Sequence, residues 1–163
     1  MGTTTAVPWL DADEMAAWRA FAETIVDLMG ALEADLAEHH LTLGDYQVLV
    51  FLSEAPEHAM RMCDLAERLQ LSPSGVTRRL DGLVRAGLVE RQPSVADRRV
   101  MLAVLTGGGT AALEEAAPTH VESVRHRMLD HVERRDLPAL ARVFQAVRAG
   151  LEADERCQVA RAS

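Results

Sequence analysis

Lysine is absent from this chain: all seventeen cationic side chains among its 163 residues are arginine. The planar guanidinium suits bidentate recognition of phosphates and base edges, although a GC-rich genome yields the same bias. Cysteine is scarce too, with only Cys63 and Cys157, far apart and without metal-type or redox-type spacing. That excludes a disulfide framework and leaves Cys63 to read as a small, semi-buried packing residue. No stretch approaches the roughly 18 consecutive apolar residues of a membrane span, and Met1 to Trp9 has neither a basic region nor an apolar run for export. A cytoplasmic location and no membrane partner are therefore expected.

Catalytic signatures are missing as well. There is no nucleophile elbow, phosphate loop or metal-ligating helix, and Gly107-Gly108-Gly109 lacks the Lys-Ser/Thr that would make a phosphate cradle of it. His39, His40, His58, His120, His126 and His131 include no pair at i, i+4, the spacing that sets two imidazoles on one helical face. No enzyme, catalytic residue, metal site or cofactor is expected. With 48% apolar and 26% charged side chains, the chain has what one domain needs to bury a core, and disorder is excluded.

Positive charge is scarce overall, at a net of −8, which taken alone argues against a nucleic-acid partner. Its distribution reverses the argument. Residues 1–40 carry −7, residues 41–59 carry −3 and residues 100–163 carry −1, whereas residues 60–99 set eight arginines against five acids for +3.

Apolar residues from Met15 to Leu36 recur at three- and four-residue steps, predicting a long amphipathic helix capped by Asp11 or Asp13. Thr42 precedes a second apolar block, Tyr46 to Leu52, which stops near Pro56. A third helix is expected from Cys63 to Leu71. Ser72-Pro73 then starts a fourth, serine as cap and proline at the first helical position, with Val76, Leu80, Leu83 and Val84 as its buried stripe and Gly87 as its stop. Leu88 to Arg91 and Arg99 to Leu105 read as two strands around a polar tip, Gln92 to Arg98. Thr106 caps a fifth helix that Pro118 should bend or interrupt, and a last helix is expected from Leu137 to Leu151 with a fraying tail.

The face of the fourth helix opposite its buried stripe presents Ser74, Gly75, Arg78, Asp81, Gly82 and Arg85. Small residues let such a helix approach a surface closely, and Arg78 has the reach for guanine O6 and N7. Thr77 and Arg79 flank that face within reach of phosphates. A helix, a turn and a capped helix form a helix-turn-helix, and the hairpin that follows makes it a winged helix. Asp97, Arg98 and Arg99 sit at the hairpin tip, where an arginine suits the minor groove and a neighbouring aspartate is placed to brace it.

Ser72-Pro73-Ser74-Gly75-Val76-Thr77-Arg78-Arg79-Leu80, Gly87-Leu88-Val89-Glu90-Arg91, Asp97-Arg98-Arg99 and Leu105-Thr106, with Leu65-Ala66-Glu67-Arg68-Leu69 before them, resemble the MarR family of bacterial transcription regulators over about residues 60–110. The resemblance implies a mainly α fold with a small β-hairpin wing (α+β). It implies one domain, 1–163, with a winged helix-turn-helix lobe at 44–106 and a helical dimerisation region at 10–40 and 107–152. Its expected partners are itself as a homodimer, a pseudo-palindromic double-stranded DNA operator and a small aromatic or anionic ligand whose binding releases a repressor. The expected DNA contacts are Ser72, Ser74, Gly75, Thr77, Arg78, Arg79, Asp97, Arg98 and Arg99. Trp18, His40 and Tyr46 are candidates for the wall of a ligand pocket. The sequence departs from the family pattern at Arg61 or Met62, where relatives have a polar cap, and at Met101, where the wing often has a smaller or polar residue. A metal- or thiol-responsive regulator on the same fold, or a protein-interaction module that does not bind DNA, is the rival reading.

Overall fold

The computed structural model describes residues 7–162, with side chains as far as residue 153. The chain divides after Ser123 into two compact units. The first contains α1 (Ala12–Ala37), α2 (Leu43–Glu54), a 3-10 turn at Pro56–His58, β1 (Ala59–Arg61), α3 (Met62–Leu69), α4 (Pro73–Arg85), β2 (Val89–Pro93), β3 (Met101–Leu105) and most of α5 (Gly107–Arg127). The second holds the end of α5, a 3-10 turn at Leu129–His131 and α6 (Leu137–Ala162). Among the described residues no helix is long and apolar enough to cross a membrane, and no group of three His, Cys, Asp or Glu side chains could hold a metal ion.

The helices begin where side chains can satisfy their unpaired N–H groups. Asp11 and Glu14 form a reciprocal capping box for α1, and Thr42 and Asp45 form one for α2. Ser72 Oγ accepts from the Gly75 N–H at 3.1 Å to open α4. As the odd residue at its start suggested, α3 has no side-chain cap, Arg61 standing at that position. Its end is set by Gln70, which takes a left-handed conformation (φ 53°) and turns the chain into α4.

α2 is apolar on nearly every side because it is the centre of the unit. Its Tyr46, Val48, Leu49 and Leu52 are buried with Leu36 of α1, Leu65 and Ala66 of α3, Val76, Leu80 and Leu83 of α4, Val89, Ala103 and Leu105 of the strands, and Ala116 of α5. Burial of such side chains contributes about 1.5–3 kcal/mol each against exposure, so this cluster holds the lobe together. The exit of α4 and the entry of α5 are stitched across it. Gly87 turns at φ +73°, Thr106 Oγ1 donates to the Gly87 carbonyl at 2.7 Å, and the same oxygen accepts from Gly109 N–H at 3.0 Å. Gly109 is a true steric requirement, since a Cβ there would overlap the Leu88 carbonyl oxygen.

Several expectations need correction. The sheet has three strands in the order β1-β3-β2, all antiparallel, because Ala59–Arg61 pairs with Leu102–Val104 on the far side of the hairpin. β2 runs to Pro93 and β3 starts only at Met101. Leu88 is taken up by the turn after Gly87, and Arg98 to Val100 by the wing tip. Val84 is 37% exposed and not part of the buried stripe, which Val76, Leu80 and Leu83 complete without it. Cys63 is exposed, on the outer side of α3 from Leu65 and Ala66. α5 continues through Pro118 without interruption, and α6 extends past Leu151 to Ala162. The long stripe of α1 is present on a helix, with Leu32 and Leu36 in its last turns buried, Met15, Ala22, Ile25 and Leu28 half-buried, and Trp18 and Met29 exposed.

Candidate nucleic-acid interface

α4 lies with Val76, Leu80 and Leu83 in the core, which turns Ser74, Arg78, Gly82 and Arg85 outward. Nothing lies within 4 Å of where a Gly82 Cβ would be, so this side is open to an approaching surface. Gly75 is less open than its helical phase suggests: a Cβ there would meet Ser72 Oγ at 3.3 Å and Leu71 Cβ at 3.4 Å, and its N–H serves the cap. The Ser72 and Ser74 hydroxyls lie 3.1 Å apart, and Thr77 Oγ1 donates back to the Pro73 carbonyl at 2.9 Å. The two serines thus keep one hydroxyl hydrogen between them for an outside acceptor, whereas that of Thr77 is already given to Pro73.

The arginines of this region separate into tied and free. Arg68 lies over the Phe51 ring, 4.2 Å from its centroid, and pairs with Glu54 at 3.7 Å, joining α3 to α2. Arg79 points back from α4 to the start of α2, where Nη1 donates to Thr42 Oγ1 at 3.0 Å and stands 3.4 Å from Asp45 Oδ1. Arg91 reaches from β2 to α4, pairing with Asp81 at 2.8 Å and donating to the Thr77 carbonyl at 2.9 Å. Arg85 Nε donates to the Asp81 carbonyl one turn earlier. Arg61, Arg78, Arg98 and Arg99 are exposed and, among the described residues, have no ion pair or side-chain hydrogen bond. A guanidinium without an internal partner keeps all five donors for something outside the chain.

The wing tip is a tight structure in its own right. Ser94 N–H donates to the Val100 carbonyl and Val100 N–H to the Asp97 carbonyl. Asp97 does not brace the Arg99 guanidinium as expected. Its carboxylate instead accepts the Arg99 backbone N–H at 3.0 Å, fixing the backbone from which Arg98 and Arg99 project. Between the start of α3, one side of α4 and the wing runs an open groove of ≈ 510 Å³, lined by Arg61, Met62, Cys63, Thr77, Arg91, Arg99, Val100 and Met101.

The three residues considered for a ligand pocket make no ring contact or hydrogen bond with one another. Tyr46 is buried with its ring 4.5 Å from that of His120, and burial raises its phenol pKa. Burial likewise lowers the pKa of His120, whose Nδ1 is enclosed without a hydrogen-bond partner. His40 is exposed in the connection after α1, at φ 57°. Trp18, 57% exposed, lies eighteen residues before Leu36 on α1, about 27 Å along the helix, and its ring neighbour is Phe21.

Periodicity marked the outward face of α4 but missed Arg91 and the acceptors of Arg79. The available signals were Thr42-Leu43-Gly44-Asp45, a capping-box spacing with a glycine in the first turn, and the lone cation at the middle of a strand.

A family model described as the MarR family matches residues 39–100. The structure of AbsC, a MarR family transcriptional regulator from Streptomyces coelicolor, is similar with a TM-score of 0.87 and 36% identity, covering 90% of this chain and 99% of that one. Sco3205, a MarR family transcriptional regulator from the same organism solved in complex with DNA, is similar with a TM-score of 0.86 and 29% identity, covering 91% and 93%. The transcriptional repressor YetL of Bacillus subtilis is 28% identical over 115 residues, 71% of this chain and 69% of its own length.

Proposed function

Because this chain belongs to the MarR family of transcriptional regulators, we propose that it is a homodimeric repressor that binds a pseudo-palindromic DNA operator and is released by a small ligand. The observation that carries the reading is the placement of three free arginines, Arg78 on the outward face of a capped α4 and Arg98 and Arg99 on a wing tip whose backbone is tied by Asp97. Arg78 reads a base edge in the major groove, and the wing arginines enter the adjacent minor groove. Ser72 and Ser74 donate a hydroxyl hydrogen to the DNA backbone near the start of α4, and Thr77 does so on exchanging its bond to the Pro73 carbonyl for one to a phosphate. Sco3205 in its DNA complex supports a duplex as the partner, and YetL's description as a repressor supports the direction of regulation.

The exposed apolar side chains of α1 (Trp18, Phe21, Val26) and of α6 (Val143, Phe144, Val147, Leu151) support a second copy as the other partner. In the groove beside the wing, Arg61, Arg91 and Arg99 favour an anionic ligand. Since Arg99 also serves the DNA reading, such a ligand competes for it, giving the two states the unequal affinity that release requires.

Selection of bound duplexes from a random library at two salt concentrations, with wild type and Arg78→Ala in parallel, tests the proposal. The expected result is an enriched pseudo-palindrome with half-sites one turn apart, about 34 Å, a steep salt dependence and a preference relaxed at one base position in the variant. No enrichment at low salt overturns it in favour of a protein-interaction module.

A further inference from the structure

We propose that Arg79 is a positioning residue for DNA recognition: its guanidinium, seated on the first turn of α2 over Gly44, sets the pose of α4 and does not touch DNA. The inference rests on the DNA-binding reading above and departs from the expectation that Arg79 reaches a phosphate.

The seat is built from both sides. Thr42 Oγ1 accepts from Arg79 Nη1 (3.0 Å) and from Asp45 N–H (3.0 Å), and donates to Asp45 Oδ2 (2.6 Å), so its one donor and two acceptor positions are filled. Asp45 gives Oδ2 to the cap and presents Oδ1 to Arg79. The next N–H of that turn, Leu43, donates to Glu33 Oε2 of α1 at 2.6 Å, which anchors the seat to a second helix. Gly44 makes room: a Cβ on it would overlap Nη1 and Cζ of Arg79 and come within 2.7 Å of Nη2. The guanidinium thus lies against bare backbone, a place no other residue leaves open.

Such a device has a reason. Val76, Leu80 and Leu83 hold α4 to the core through apolar contacts, which are non-directional and tolerate sliding and rotation of the helix. Base readout does not tolerate them, since a hydrogen bond fails outside a narrow range of distance and angle. Arg79 from the α2 side and Arg91 from the wing side are the directional ties to α4, each ending on a carboxylate, Asp45 and Asp81. Moving Arg79 to a phosphate breaks its bonds to Thr42 and Asp45 and vacates the space over Gly44.

Gly44→Ala is the discriminating variant. It evicts the guanidinium while keeping every charge in the protein, and alanine favours a helix over glycine, so weakening cannot be ascribed to a poorer α2. With a duplex enriched by selection and a random-sequence duplex as probes, Gly44→Ala, Arg79→Ala and Arg79→Lys are each expected to weaken the selected duplex about tenfold. They should leave its salt slope and the random-duplex affinity unchanged. The Gly44→Ala/Arg79→Ala double variant should be no weaker than either single one. If Gly44→Ala binds as wild type, while Arg79→Ala loses about one unit of salt slope and Arg79→Lys restores it, Arg79 is a phosphate contact and the proposal fails. Amide exchange across α4 in the free protein separates this from failure of the DNA reading. Should wild type bind no duplex, faster exchange in Gly44→Ala and Arg79→Lys still supports the seat, and unchanged exchange overturns it.

Discussion

The outward and inward sides of α4 are both furnished with arginine, and neighbouring residues end in opposite situations. Arg78 projects from the open side with no partner among the described residues, while Arg79, one position on, is turned back onto α2 with two acceptors and a glycine beneath it. The charge reversal at residues 60–99 is therefore not a uniform cationic patch. Arg68, Arg79 and Arg91 are matched to Glu54, Asp45 and Asp81, and what remains for a polyanion is a small set at known places. Net positive charge in a segment thus overstates the charge offered to phosphates, and only the tertiary pairing tells the two apart.

The contrast breaks hardest at its apolar base. Leu80 is fully buried beneath the same helix turn, and Leu80→Ala is expected to lower the unfolding free energy by about 2–5 kcal/mol in a denaturant titration. At temperatures where the variant remains folded, the salt slope of DNA binding should stay that of wild type. Arg78→Ala should do the converse: a loss of about 1–3 kcal/mol in binding a selected duplex, concentrated at one base pair, with the melting temperature unmoved. A uniform loss over all sequences would make Arg78 a phosphate contact.

Thr42→Ala acts on both sides at once, removing the N-cap of α2 and the acceptor of Arg79. Stability is expected to fall by about 1 kcal/mol from the lost cap, read by thermal or chemical unfolding. Affinity for the selected duplex should fall with it, and the salt slope should not change.

How much of this the sequence disclosed follows from the range of each interaction. α4 and its outward residues were readable because a cap, a proline and a 3.6-residue period are local. The hairpin was readable for a similar reason, its strands being separated by a short tip. β1 was not: three residues carry no period, and Ala59–Arg61 becomes a strand only by pairing with Leu102–Val104. The Arg79 seat joins residues 34 and 37 positions apart, so no window along the chain contains it. Tyr46 was recognisable as apolar area, yet its meeting with His120 instead of Trp18 depends on where α5 packs. For α1 the stripe was legible and its destination was not, since Leu32 and Leu36 alone reach the core.

The finest distinction lies at Asp81, which stands on the outward side of α4 and yet holds an arginine. Its pair with Arg91 is half-exposed, with 49% of the Asp81 side chain open, so its worth to stability is about 0–1 kcal/mol. Asp81→Asn is accordingly expected to leave the unfolding midpoint nearly where it was. Its effect should be electrostatic instead. The substitution removes a negative charge from the outward side of α4 and leaves Arg91 Nη2, which serves both Asp81 and the Thr77 carbonyl, with neutral acceptors alone. DNA binding should therefore become more salt-dependent, with a steeper slope in a plot of log K against log salt concentration. An unchanged slope would mean that neutral acceptors suffice to hold the guanidinium, placing Arg91 with Arg79 among the cations that orient α4 and never meet the duplex.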